Sequence, residues 1–329
     1  MFRFFFVSLQ TESQKYMLNR RFLREKTLQT LYAFYQSGAD DALVAEKNMV
    51  FGAYKLHELY IRLASVIVEL VDFAQHRIDE SKQKHILTEA EKNPNLRLVQ
   101  NRFVEQLRSD PTFILKSEKH KISWKKDEEL IRSLYQIMIK TPSYQAYMDD
   151  SVSSYEKDQT FICGFLKRKL SNNSNLYHYF EEQNLFWADD FDNVAFWLLK
   201  SMKNAEENSN ILLPEDQFIN AEDLDFTKKL FQLTVLYNDE NTEVVKHYLT
   251  DDWEIDRTPL IDTLIMKMAI TEMCHFPSIP IKVTLNEYIE IIKQFSTEKS
   301  RVFVNGLLNK LSVDYVKQGK IKKSGRGLI

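Results

Sequence analysis

The stretch SRVFVNGLLNKL, residues 300–311, places Ser300, Val304, Leu307, Leu308 and Leu311 at the three- and four-residue intervals that share one face of an α-helix. Asn305-Gly306 would ordinarily mark a turn, yet the apolar period runs straight through it. A glycine kept inside a helix costs about 1 kcal/mol, so its retention predicts close approach of another helix at Gly306. Lys299, Phe303 and Lys310 run along one flank of this face, and Arg301 lies on the other.

The same period extends upstream. Thr284-Leu-Asn-Glu287 reads as a capping box opening a helix over 285–295, and Pro277 and Pro280 close the helix before it. A stripe of Leu23, Thr27, Leu31, Phe34 and Tyr35 predicts an opening helix, and Leu59, Leu63, Val66, Leu70 and Phe73 predict a long one within 47–80. Further helical patterns fall near 127–140, 155–170, 190–203, 222–238, 242–250 and 258–274. Asn93-Pro94 and Asp110-Pro111 read as breakers. The polar run Asn204–Asn210, ending at Leu213-Pro214, reads as the main boundary. No segment alternates strictly, so the fold class is all-α. Only 7 glycines and 7 prolines occur, which argues against glycine-cradled phosphate loops and many-turned barrels.

The 44 Lys+Arg against 47 Asp+Glu leave a net charge of −3, unlike a generic nucleic-acid-binding domain, so polyanion binding has to be local. Basic residues gather at Arg20, Arg21, Arg24 and Lys26, and in a tail carrying Lys317, Lys320, Lys322, Lys323 and Arg326. Charge runs of this kind usually mark solvated faces and frayed termini. Cys163 and Cys274 sit far apart with no CxxC, which predicts a reducing, cytoplasmic setting without a structural zinc. No apolar run is long enough to span a membrane. Residues 1–16 read as an extension outside the core.

Catalysis finds no foothold in the motifs. Glu272-Met-Cys-His275 has the Glu-x-x-His spacing of di-iron bundles, but the second pair those sites need is missing, and a helix-end histidine is the simpler reading. No catalytic, cofactor-binding or metal-binding residue is assigned. The opening helix says more. Arg20 and Arg24 continue the stripe of Leu31 and Phe34, and cations at a helix N-terminus oppose the macrodipole. A docked polyanion would reverse that penalty. Phe303 beside cations matches the way a ring accepts a base of single-stranded RNA, although sealing the core edge is the plainer role on geometry alone.

The segments Ile279–Phe295 and Ser300–Lys310 resemble the C-terminal signature of the NusB family of bacterial transcription antitermination factors. Arg20–Tyr32 resembles the arginine-rich first helix of that family. Asp225–Met273, with Trp253, Arg257, Asp262 and Glu272, resembles its central helices. The resemblance implies a NusB-like helical bundle enlarged by inserted helices. Its parts would be a non-core extension (1–16), the first helix (17–40), an inserted region (41–220), the C-terminal core (221–314) and a basic tail (315–329). It also implies binding of single-stranded boxA-type ribosomal RNA leader together with NusE, a small-subunit ribosomal protein, within an RNA polymerase antitermination complex. By position, Arg20, Arg21, Arg24, Lys299, Arg301 and Phe303 would form the RNA surface, and Tyr32 and Glu272 would lie toward the protein partner. Phe22 interrupts the arginine run usual in the family, and Lys299 replaces a commonly acidic residue. The competing expectation is a helical scaffold that binds proteins only.

Overall fold

A computed structural model describes residues 18–207, 213, 221–249 and 258–328; the 1–16 extension, Pro214, Trp253 and Arg257 lie outside them. The helices are α1 (Arg20–Gln36), α2 (Ala42–Lys82), α3 (Glu89–Lys92), α4 (Arg102–Ser109), α5 (Pro111–Lys119), α6 (Glu128–Ile139), α7 (Pro142–Asp149) and α8 (Tyr155–Phe165). A π-helical turn, Leu166–Leu170, prolongs α8. Then come α9 (Ser174–Gln183), α10 (Phe191–Lys203), α11 (Ala221–Leu236), α12 (Asn238–Tyr248), α13 (Leu260–His275), α14 (Ile281–Phe295) and α15 (Glu298–Lys317). No strand occurs among the described residues, and the protein is all-α.

Asn93-Pro94 follows the end of α3, whereas Asp110-Pro111 starts a helix. Asp110 ends α4 and caps α5, its Oδ1 accepting from Phe113 N at 2.8 Å, with Pro111 in the first turn. Thr141-Pro142 opens α7 in the same way. Proline suits that turn because its missing N–H would be unpaired there anyway. These short helices carry too few periodic positions to stand out in sequence.

The chain divides into two compact units, Gly52–Phe218 and Leu18–Phe51 with Ile219–Ile329, and α2 contributes residues to each. In the first unit, α8 packs on α4, α7 and α10. Its core holds Leu59, Tyr60, Leu63, Phe103, Phe180 and Leu198, all fully buried. In the second unit α13 is the axis, packed by α1, α11, α12, α14 and α15. Every residue of α13 from Asp262 to Met273 is buried. A helix enclosed on all sides cannot be amphipathic, which explains its near-continuous apolar sequence LIDTLIMKMAIT.

Three local expectations fail. The Thr284–Glu287 capping box does not form: α14 starts a turn earlier behind Pro280, and Thr284 is buried within it. Gly306 faces open space, with nothing within 4 Å of an added Cβ, so no helix among the described residues approaches it. The basic tail is docked rather than frayed. Ile321 is buried, Ser324 N donates to the Pro277 carbonyl at 3.0 Å, and Lys323 Nζ to that of Phe276 at 3.0 Å.

Candidate nucleic-acid interface

The α1 terminus begins at Asn19, whose side chain accepts from Phe22 N at 2.9 Å. Phe22, Leu23, Leu28 and Leu31 are buried, and Leu28 and Leu31 pack into the core around α13. Phe22 therefore stands in the arginine run as a core residue, with Lys26 Nζ lying 5.3 Å over its ring. The same rotation carries Arg24 inward and leaves Arg20 and Arg21 at the rim.

Arg24 is buried, and both arms of its guanidinium reach Glu272 of α13: Nε to Oε2 at 2.6 Å and Nη2 to Oε1 at 2.8 Å. Thr284 Oγ1 donates to Glu272 Oε1 at 2.8 Å, and Tyr288 OH to Oε2 at 3.2 Å. The guanidinium also lies 5.1 Å over Phe226 and 6.0 Å over Tyr288. A buried carboxylate is tolerated when paired and saturated with donors, and Glu272 accepts four. Burial works to strip the charge from Arg24, but the Glu272 carboxylate outweighs it and holds the guanidinium above its ordinary range. Burial, with the nearby Glu272 charge, keeps the Tyr288 hydroxyl protonated well above the ordinary tyrosine range.

Two expectations are thereby corrected. Arg24 is not on an RNA surface, because its stripe position faces a carboxylate in the core. Glu272 is not on a partner face, because it is that carboxylate, with 0% exposure.

Arg20 and Arg21 stay at the surface on carboxylate struts. Arg20 Nε donates to Asp223 Oδ1 of α11 at 2.7 Å, its guanidinium 5.3 Å over Phe226. Arg21 forks onto Glu287 of α14 with two bonds of 2.9 Å. Those bonds raise the Arg21 guanidinium above its ordinary range. The side chains remain 41% and 33% exposed, so each fork can meet a second anion.

The opening of α15 has Thr297 as cap, its Oγ1 accepting from Ser300 N at 3.1 Å. Lys299 is exposed, and Arg301 pairs with Glu298 one turn earlier. Phe303 is half-buried and packs against the core of this unit, in keeping with a ring that seals its edge. Helices α1 and α15 both pack on α13 and α14. Tyr32 is 40% exposed on α1.

Sequence reasoning missed Asp223, Phe226, Glu287 and Tyr288. Arginines on a stripe meant for burial call for a carboxylate inside, and Glu272, in an otherwise apolar helix, was the available signal.

These features define an all-helical bundle around one buried helix, with a cationic helix tip braced by carboxylates. The model of the NusB family matches residues 193–312. "Transcription antitermination protein NusB" from Chloroherpeton thalassium is 40% identical over 120 residues, 36% of this chain and 56% of the relative. Its counterpart from Salinibacter ruber is 41% identical over 105 residues, covering 32% and 65%. That from Natranaerobius thermophilus is 33% identical over 95 residues, covering 28% and 68%. The chain belongs to the NusB family. It spans less than two thirds of the length of the first two relatives. No solved structure matches it.

Proposed function

We propose that the protein is a non-enzymatic transcription antitermination factor that captures single-stranded boxA-type leader RNA jointly with NusE, within an RNA polymerase complex. The observation that carries the reading is the pair Arg20 and Arg21, half-exposed at the tip of α1 and held in direction by acidic side chains of α11 and α14. Arg24 acts one layer beneath, fixing α1 to α13 and so aiming the pair. Lys299 and the exposed part of Phe303 extend the surface, with Arg301 able to leave Glu298 for a phosphate. Tyr32 offers a ring to the protein partner.

The braces set the strength of binding. Asp223 and Glu287 offset the charges of Arg20 and Arg21, so few uncompensated cations face the strand. Each phosphate contact on a single strand contributes a salt slope of about −0.7, so two or three give weak binding alone. A second RNA-binding protein seated beside the site raises the affinity by linkage. The same braces also favour the second reading, a scaffold that binds only proteins, because they neutralise the tip. Gel shifts with boxA-type and scrambled RNA, with and without NusE, separate the two. Sequence preference that sharpens on adding NusE supports antitermination; equal weak binding of both RNAs supports the scaffold.

A further inference from the structure

The first unit has a feature that the antitermination reading does not use. Where α8 passes into the π-helical turn Leu166–Leu170, a surface cavity of about 290 Å³ opens beside the end of α10. Lys167 and Arg168 of the turn line it, with Lys203 from the last turn of α10, Thr160, and the buried Cys163 beneath. Among the described residues, no carboxylate lines it. All three cations are exposed, and none makes an ion pair among the described residues.

The backbone helps converge them. A π turn inserts an extra residue and rotates the following side chains relative to the α-helix, and such turns recur at functional sites. Gly164 supplies the room: a methyl group there would lie 2.6 Å from an Arg168 guanidinium nitrogen, so that side chain lies back across the helix where a Cβ would stand. Gln159 braces the far wall, its amide donating to the carbonyls of Met202 and Ala205 at 2.8 Å each, which ties the end of α10 to α8.

We propose that this cavity is a binding site for a compact phosphate anion of the diphosphate class. Three convergent cations and a hydroxyl match an ion with several charged oxygens, and Arg is suited to bidentate contact with them. The size lies at the small end of ligand pockets, roughly 300–1,000 Å³. Among the described residues the lining has no aromatic ring on which a base could stack, unlike sites that track single-stranded nucleic acid. The phosphate groups themselves are therefore what the site recognises.

Isothermal titration of the full chain with sodium pyrophosphate tests this. Saturable one-site binding is expected, weakened about tenfold or more by Lys167→Ala with Lys203→Ala, and by rising salt. Gly164→Ala should also lower affinity by displacing Arg168, while the denaturation midpoint is held or raised, because alanine suits a helix better than glycine. Arg20→Ala with Arg21→Ala, in the other unit, should leave pyrophosphate affinity unchanged, so the two sites succeed or fail separately. A ten-nucleotide oligouridylate serves as competitor and should displace pyrophosphate poorly. Absence of saturable binding, indifference to the Lys167/Lys203 change, loss through the Arg20/Arg21 change, or tighter binding of the oligonucleotide at the same residues would each overturn the assignment.

Discussion

Arg24 and Glu272 stand 248 positions apart in the chain, yet two hydrogen bonds of 2.6 and 2.8 Å join them in the centre of the second unit. The pair ties the first helix of the bundle to its axis, and Thr284 and Tyr288 bring α14 into the same network. The surface cations at the tip of α1 depend on this anchor for their direction.

Removing one member of that pair should be costly. Arg24→Ala or Glu272→Gln leaves a buried charge without its partner, and a loss of about 3–5 kcal/mol is expected in urea unfolding. Replacing both by methionine should restore much of the loss, because desolvation of the ions offsets most of their attraction. Equal damage in the single and double variants would contradict the network.

The exposed pair should behave oppositely. Arg20→Ala with Arg21→Ala removes partly solvated bridges to Glu222, Asp223 and Glu287, worth about 1 kcal/mol or less each. RNA affinity should fall and the salt slope should shrink by up to about 1.4 on single-stranded RNA. A salt titration that superimposes on the unaltered protein would refute the role proposed for them.

Gly306 has open space where its side chain would be and lies within α15. Gly306→Ala should therefore stabilise the protein by about 0.5–1 kcal/mol, through helix propensity and a less flexible unfolded chain. A lower unfolding midpoint would contradict the open space found at this position.

Gly327 is the contrary case. A Cβ there would lie 1.9 Å from the Pro277 carbonyl oxygen, which is backbone and cannot move aside. Gly327→Ala should undock the tail, uncovering Ile321 and freeing Lys323 from the Phe276 carbonyl, seen as several-fold faster trypsin cleavage in the tail with the rest of the core intact.

His275 ends α13, stacked on Tyr237 with ring centroids 4.4 Å apart. Burial lowers its pKa from the ordinary 6.5, with Glu240 acting weakly the other way. The unfolded chain then binds a proton at this histidine more readily than the folded one. Its contribution to stability is thus whole above pH 6.5 and falls as the pH drops toward the lowered value. His275→Phe keeps the stack, and should flatten the dependence of the urea midpoint between neutral and mildly acidic pH.

The sequence by itself determined that this chain is all-α, where most long helices run, and which family it joins. Helical periodicity is a local property: a repeat of 3.6 residues is written within each segment and needs no partner to be read. Even the opening of α15 and its buried face, Val304, Leu307, Leu308 and Leu311, could be taken from that repeat.

Only the tertiary structure decided which charges are free. The stripe carrying Arg20 and Arg24 read as a landing place for a polyanion or as a solvated lead-in, and the carboxylate that Arg24 meets sits on α13, far along the chain. Thr284 and Glu287 had the spacing of a local cap, but burial turned one toward Glu272 and the other toward Arg21. Gly306 and Gly327 look alike as letters, and differ only in what packs against them. Pairing and packing are set by neighbours in space, and a single sequence orders its residues along the chain alone.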